Sequence, residues 1–185
     1  MVLAFTGAGI SAASGVPTFA AQPGIRDRLT RTYANRHPEK YHETISSMQK
    51  ACDDASPNDA HIALAEHQTP IITMNVDGLH QRAGSEHVLP IHGVLPNIVL
   101  YGDPAPMYNV AHEWVGRLIP GDFFLIVGTS FYTRVSTDLK LHALIAGADV
   151  YVINEDAEHA VRDFLNRVET PPCTFDEFMA RELQC

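Results

Sequence analysis

The sequence predicts an α/β fold in which a Rossmann-like parallel sheet carries helices on both faces. Short apolar runs alternate with helical patterns along most of the chain. Alternation of this kind requires crossover connections between parallel strands. In addition, most of the apolar runs end in a short loop that combines glycine with small polar residues. Because parallel strands place their ligands beyond their carboxyl ends, these loops are where we expect a binding site.

The individual elements follow from the spacing of apolar residues. Buried strands are predicted at 2–5, 71–74, 87–91, 98–101, 123–127 and 150–153. Helices are predicted at 57–66, 77–83, 108–118, 137–146 and 157–166. Residues 18–56 interrupt the alternation, since they contain prolines, charged helical stretches and no convincing strand. We therefore predict one domain, 1–185, in which a sheet core of residues 1–17 and 57–185 carries a helical lid insertion at 18–56.

The composition limits the classes of partner. The 185 residues are 45% hydrophobic and 19% charged, which is ordinary for a folded protein with a core. The formal net charge of −9 argues against a nucleic-acid partner, which requires a dense face of lysine and arginine. No run approaches the roughly 18 apolar residues that span a bilayer, so we expect no membrane partner. The three cysteines form no C-x-x-C pair, and we expect a reduced protein in the cytoplasm.

The loop after the first run has a phosphate-binding pattern. It reads Thr6-Gly7-Ala8-Gly9-Ile10-Ser11-Ala12 and fits G-x-G-x-x-[GA] directly after a strand. Glycines permit the tight turn and let backbone N–H groups approach a pyrophosphate, while the following helix start adds positive potential. A dinucleotide-binding dehydrogenase would also need an acidic residue at the end of a second strand, about 20 residues later. Asp27 lies at that distance, but no strand precedes it, which disfavours a dehydrogenase.

The loops after the other runs are similarly polar. They read Asn75-Val76-Asp77, His92-Gly93, Gly102-Asp103, Gly128-Thr129-Ser130 and Asn154-Glu155-Asp156. Glycine, asparagine and aspartate end strands for conformational reasons alone, which explains each loop singly. That so many of them add serine, threonine or histidine favours one crevice assembled from several loops.

Together these segments resemble the sirtuin family. The run from Gly7 to Phe19 resembles the sirtuin NAD-binding signature, and the other segments match further sirtuin motifs in the family's order. Residues 57–61 are similar to the motif that opens the helix before the second strand, and 73–85 to the nicotinamide-pocket motif. Residues 91–93 are similar to the catalytic histidine motif, and 98–103 to the segment that holds the acyl-lysine peptide. Residues 128–130 and 153–155 are similar to the ribose and adenine side of the site.

The resemblance implies an enzyme that consumes NAD as a co-substrate and removes acyl groups from lysines of a protein or peptide. Its products would be nicotinamide and O-acyl-ADP-ribose. It implies catalytic roles for Asn75, Asp77 and His92, and an imidazole with a pKa of about 6.5 is a competent base at neutral pH. The implied cofactor-binding residues are Gly7, Ala8, Gly9, Ile10, Phe19, Asn75, Val76, Asp77, His92, Gly128, Thr129, Ser130, Asn154 and Glu155. The implied substrate-binding residues are Val99, Leu100, Tyr101 and Gly102.

The sequence departs from the sirtuin pattern at three places. Sirtuins usually carry a zinc ribbon with two C-x-x-C pairs after the His-Gly motif, whereas here only residues 94–97 precede the next apolar run. We therefore predict no zinc and no zinc ribbon. Ala20 stands where the family has an arginine, and Met74 stands where it has a glutamine. Arg26 or Arg28 could take the place of the missing arginine.

Three other functions stay open on this sequence. The same site would also suit an NAD hydrolase or a protein ADP-ribosyltransferase, in which water or another side chain accepts the ribosyl group. A third possibility, from a different class, is a non-catalytic module that binds NAD or ADP-ribose. The presence of His92 favours deacylation, whereas Ala20 and Met74 suit an altered acceptor.

Overall fold

A computed structural model of the chain describes residues 1–18, 21–22 and 24–184. At its centre lies a five-stranded sheet in the order β3-β2-β1-β6-β7, and every neighbouring pair in it is parallel. A separate antiparallel pair, β4 with β5, lies outside this sheet. The strands are β1 (Val2–Thr6), β2 (Ile71–Thr73), β3 (Val88–Pro90), β4 (Gly93–Val94), β5 (Asn97–Ile98), β6 (Phe123–Val127) and β7 (Asp149–Ile153). The predicted parallel α/β fold is confirmed.

Nine helices lie between or after the strands in the described part of the chain, and the first four of them lie between β1 and β2. They are α1 (Ile25–Arg28), α2 (Arg31–Arg36), α3 (Pro38–Asp54), α4 (Asp59–Glu66), α5 (Leu79–Arg82), α6 (Met107–Val115), α7 (Arg134–Ile145), α8 (Ala157–Arg167) and α9 (Phe175–Met179). A 3₁₀ turn, Ala8–Ser14, follows β1 directly. Within the described ranges, no helix combines the length and the apolar character that a membrane crossing requires.

The sheet is covered on both faces because alternate side chains of a strand point to opposite sides. On one face, Leu3 and Phe5 of β1 join a core that includes buried residues of α6, α7 and α9. There the ring of Phe5 stacks on Phe124, with 6.2 Å between the ring centroids. On the other face, Ala4 packs in a second core with buried residues of α4 and α8. This two-sided burial explains why the inner strands read as continuous apolar runs.

The predicted strand at 98–101 is wrong. Only Ile98 of that run belongs to a strand, and it pairs with Gly93 in the small antiparallel hairpin. A parallel neighbour needs a crossover of a dozen or more residues, and the chain between His92 and Ile98 is too short for one. Further along, Tyr101 makes a single bridge to Thr30 instead of joining the sheet.

The run 150–153 forms a strand as predicted, but the strand is not buried as predicted. Tyr151 and Val152 of β7 are 49% and 43% exposed. The reason is that β7 lies at the edge of the sheet, beside β6 alone.

A third hydrophobic core joins the helices α1 to α3 to the segment around the hairpin. From the helical side it contains Leu29, Ala34, Ile45 and Cys52, and from the hairpin and the segment after it Leu95 and Leu100. The segment 93–100 is therefore held by apolar packing against the helices at 25–54.

This core predicts the effect of shortening Leu95, which is 7% exposed in the turn between β4 and β5. We expect Leu95→Ala to lower the free energy of unfolding by about 2–4 kcal/mol, because it removes buried methyl groups and leaves a cavity. The matched control is Leu141→Ala on α7, where the side chain is 56% exposed and the change should stay within about 0.5 kcal/mol. Urea unfolding of both variants measures the difference. Equal effects in the two variants would show that the hairpin contributes nothing to stability.

Candidate active site

The loop after β1 lies directly against the loop after β6. The N–H of Gly7 donates to the carbonyl of Val127, and the N–H of Gly9 donates to the carbonyl of Gly128, both at 2.9 Å. A Cβ atom at Gly9 would lie 2.6 Å from the Cα of Gly128, and one at Gly128 would lie 2.2 Å from the nitrogen of Ile10. The glycines thus allow two backbone segments to touch. This differs from the expected role, since the N–H groups of Gly7 and Gly9 bind neighbouring carbonyls and are not left for a phosphate.

The loop after β6 is joined in turn to the loop after β7. The N–H of Gly128 donates to the carbonyl of Ile153 at 2.8 Å, and the N–H of Thr129 donates to Oδ1 of Asn154 at 3.0 Å. Three strand-end loops therefore form one continuous edge. This is the shared crevice that the loop composition predicted.

The loop after β2 is fixed by a buried serine of the first turn. Ser11 is fully buried, and its Oγ accepts from Nδ2 of Asn75 at 3.1 Å and donates to Oδ2 of Asp77 at 2.7 Å. The other carboxylate oxygen of Asp77 accepts from the N–H of Leu79 at 2.9 Å, at the start of α5. Asn75 and Asp77 are thus held by one hydroxyl, and their positions depend on each other.

Two buried histidines support the same region. Burial lowers the pKa of His80 to about 3 and that of His61 to about 4, so both are neutral at pH 7. Oγ1 of Thr6 lies 2.9 Å from Nε2 of His80 and donates to Oγ1 of Thr73 at 2.8 Å. Oγ1 of Thr73 also accepts from the N–H of Asn75 at 3.0 Å. This buried chain sets where the loop after β2 begins.

His92 follows β3 and makes two hydrogen bonds. Nδ1 lies 3.2 Å from the carbonyl oxygen of Met74, and Nε2 lies 2.7 Å from the hydroxyl of Tyr108. Burial holds the pKa of His92 below its usual value, although the hydrogen bond to the Met74 carbonyl acts in the opposite direction. At neutral pH the imidazole is therefore neutral and suited to accept a proton.

Two adjoining cavities lie at this edge of the sheet. The larger has a volume of about 970 Å³, and the smaller has a volume of about 640 Å³. The predicted site residues that line the larger cavity are Ala8, Gly9, Asn75, Val76, His92, Val99, Leu100, Tyr101, Gly102, Gly128, Thr129, Ser130 and Asn154. Ala8, Asn75, Val76 and Asp77 line the smaller one, beside residues of α3. Arg26 lines the larger cavity and Arg28 the smaller one.

Some predicted cofactor contacts are not brought to a cavity wall. Gly7 and Ile10 line neither of the two cavities, and Ile10 is buried in the core beneath the turn. Glu155 is exposed and also lines neither of them. Phe19 and Ala20 lie outside the described residues. In the part of the chain that the structure describes, no three histidine, cysteine or acidic residues come close enough to hold a metal ion.

Sequence reasoning did not assign a role to Ser11, His80 or Tyr108. Ser11 lies inside the glycine motif, so its position after Gly9 was an available signal. His80 lies in the segment similar to the nicotinamide-pocket motif, and only its burial reveals that it is structural. Tyr108 is the second residue of a helix that follows a proline-containing loop, and it has no sequence pattern that would connect it to His92.

The chain is similar in sequence to proteins of the Sir2 family. The sequence model of the Sir2 family matches residues 7–95. NAD-dependent protein deacylase 2 of Archaeoglobus fulgidus is 30% identical over 201 residues, which cover 82% of this chain and 79% of that protein. The NAD-dependent protein deacylase of Aeropyrum pernix is 32% identical over an alignment that covers 83% of this chain and 80% of that protein. The NAD-dependent protein deacetylase of Bacillus cereus is 30% identical over an alignment that covers 84% of this chain and 82% of that protein.

Solved structures of Sir2 homologues also superpose on this chain. A Sir2 homologue in complex with NAD superposes with a TM-score of 0.82 at 24% identity, covering 90% of this chain and 88% of that one. A Sir2 homologue mutant in complex with 2'-O-acetyl-ADP-ribose superposes with a TM-score of 0.81 at 25% identity, covering 90% and 91%. The fold of the chain is therefore the fold of these proteins.

The contact between the loops after β1 and β6 predicts the effect of a methyl group at Gly128. Its φ of +64° and the clash with Ile10 both oppose a side chain, so Gly128→Ala should lower the free energy of unfolding by about 3–5 kcal/mol. Gly121→Ala is the control, because Gly121 also has a positive φ of +90° but has open space around it. It should cost only about 1–2 kcal/mol, the backbone strain alone. Urea unfolding that gave equal losses for both variants would refute the tight crossing of the two loops.

Proposed function

The chain belongs to the Sir2 family, and on that premise we propose that it is an NAD-dependent protein deacylase acting on acyl-lysine side chains. The observation that carries the proposal is that a single cavity joins three groups of residues. His92 lies in it together with the glycine-containing turn at Ala8 and Gly9 and with the segment 99–102. A base, a dinucleotide-sized cleft and a peptide-facing segment are the parts that this reaction requires.

The residues of the larger cavity fit a dinucleotide. Its volume of about 970 Å³ is at the upper end of the range for small-molecule sites. Oγ1 of Thr129 is buried at its wall and has no hydrogen-bond partner within the described residues. Buried polar atoms are normally paired, so this hydroxyl is suited to a polar ligand atom. Ala8, Gly9, Gly128, Thr129, Ser130 and Asn154 would hold the nucleotide.

In the proposed reaction NAD supplies a ribosyl carbon from which nicotinamide departs, while the acyl oxygen of the lysine attacks that carbon. His92 removes a proton from a ribose hydroxyl, whose oxygen then attacks the acyl carbon. The bond between that carbon and the lysine nitrogen breaks, so that the lysine amine leaves with a proton, and a water molecule adds to the acyl carbon to give O-acyl-ADP-ribose. Because Nδ1 faces a carbonyl and must carry the hydrogen, Nε2 is the basic nitrogen. Its neutral state at pH 7 keeps it ready for this step.

Asn75 and Asp77 orient the leaving group and a water molecule. Their side chains are joined through Ser11, so neither can turn without breaking a buried hydrogen bond. They line the smaller cavity, which adjoins the larger one through Ala8, Asn75 and Val76. Fixed polar groups of this kind stabilise developing charge without reorganising during the reaction.

The acyl-lysine peptide binds along residues 99–102. This segment is held by the helical segment, because the N–H of Tyr101 donates to the carbonyl of Leu29 at 2.9 Å. The N–H of Arg31 donates to the carbonyl of Tyr101 at 3.0 Å, and its guanidinium pairs with Asp103 at 2.5 Å. With one side held by the helical segment, the cavity side is left for the peptide.

The first test is whether nicotinamide release depends on an acyl peptide. We expect incubation with NAD and an acetyl-lysine peptide to release nicotinamide and to form O-acetyl-ADP-ribose in equal amounts, as measured by mass spectrometry. The unacetylated peptide is the control and should give no release. Release without any peptide would identify an NAD hydrolase, and transfer of ADP-ribose to protein would identify a transferase. Binding of NAD without release would identify a non-catalytic module.

The second test concerns His92. His92→Ala should reduce kcat for nicotinamide release by about 10²–10⁴-fold, the usual contribution of a general base, while leaving the Kd for NAD within a few fold. His67→Ala, at an exposed histidine that follows α4 and lines neither cavity, is the matched control and should leave both constants unchanged. Isothermal calorimetry and a nicotinamide assay measure the two quantities. A His92→Ala variant with full kcat would rule out this base.

A further inference from the structure

A single side-chain hydrogen bond occupies the nitrogen that the proposed reaction needs. The hydroxyl of Tyr108 lies 2.7 Å from Nε2 of His92, and the two ring centroids are 5.6 Å apart. Tyr108 is the second residue of α6 and lines the larger cavity. In the described part of the chain, its hydroxyl is the sole side-chain group hydrogen-bonded to His92.

The direction of this bond follows from the other side of the ring. A carbonyl oxygen can only accept, so the bond to Met74 fixes the hydrogen of the neutral imidazole on Nδ1. Nε2 then has a lone pair and no hydrogen. The hydroxyl of Tyr108 must therefore be the donor.

We propose that Tyr108 is a positioning residue that caps Nε2 of His92 in the free protein, keeps the imidazole neutral and oriented, and is replaced there by the ribose hydroxyl of NAD. This rests on the proposed function, in which His92 is the base. A proton can reach Nε2 only if the hydroxyl of Tyr108 turns away or becomes an acceptor. The bond thus stabilises the unprotonated imidazole.

The surroundings keep Tyr108 in this role. Burial raises the pKa of the Tyr108 hydroxyl above its usual value, so the group keeps its hydrogen throughout the neutral range. The helix that carries it is anchored in the main core by Ala111, Trp114 and Val115. A group on a rigid helix holds its partner more precisely than one on a loop.

The other titratable or charged groups that face His92 across the cavity do not compete for Nε2. They are Arg26, Asp27, Tyr101, Asp103 and Tyr132. Asp103 is paired with Arg31, and none of the five is within hydrogen-bond distance of His92. Among the described residues, Tyr108 is therefore the only titratable group that is hydrogen-bonded to His92.

The direction of the expected change follows from the free and bound states. Tyr108→Phe keeps the ring and removes the donor, so the pKa of His92 in the free protein should rise by about half to one pH unit. The acid limb of kcat/KM, which reports the free enzyme, should move up in pH by the same amount. The acid limb of kcat should stay in place, because in the bound state the ribose hydroxyl has replaced Tyr108.

An NMR titration of the imidazole carbon–hydrogen signals tests the proposal without turnover. The His92 signal is assigned by its loss in His92→Gln, and Tyr151→Phe on β7 is the matched control that removes a hydroxyl elsewhere. An unchanged or lower pKa of His92 in Tyr108→Phe would overturn the proposal, provided that thermal unfolding shows a folded variant. A raised pKa in a protein that releases no nicotinamide would leave the cap in place and refute the proposed deacylation instead. A raised pKa with equal shifts of the kcat and kcat/KM limbs would contradict replacement by the ribose hydroxyl.

Discussion

Two backbone hydrogen bonds between the loop after β1 and the loop after β6 determine how the site is assembled. They bring Gly7 and Gly9 so close to Val127 and Gly128 that no side chain fits between them. The turn that follows then places Ser11, and Ser11 holds Asn75 and Asp77. On the other side, Thr129 holds Asn154. Loops from β1, β2, β6 and β7 thus take their positions from one contact near the centre of the sheet.

A second constraint acts on the part of the cavity wall formed by residues 99–102. The chain has only four residues between Gly93 and Ile98, where sirtuins usually have a zinc ribbon, and it forms a short hairpin there. Leu95 and Leu100 pack with Leu29 and Ile45 from the helical segment. Apolar burial therefore positions residues 99–102 in this protein. The helices at 25–54 help to build the site as well as cover it.

The sequence predicted the parallel sheet and the shared edge of loops because continuous apolar runs and polar strand ends are local properties. It did not predict the hairpin, since the run at 98–101 is apolar enough for a strand and only the length of the connection forbids it. It also missed Tyr108, because a tyrosine near a helix start carries no local signal, and its bond to His92 spans 16 positions. Glu155 lies within a motif but is exposed and lines neither cavity, so the motif alone does not determine which of its residues line a cavity. Local patterns thus placed the loops, whereas packing determined which of their atoms meet.

We propose that His92, the glycine-containing turn and residues 99–102 serve one reaction, in which the acyl oxygen of lysine attacks the ribosyl carbon of NAD. The most direct measurement follows that oxygen. A peptide with ¹⁸O in the acetyl carbonyl is incubated with NAD, the reaction is quenched rapidly, and the product is fragmented in a mass spectrometer. If the acyl oxygen attacks, ¹⁸O appears on the ribose of O-acetyl-ADP-ribose. A ribose that carries only solvent oxygen would show that water is the acceptor and would contradict attack by the acyl oxygen.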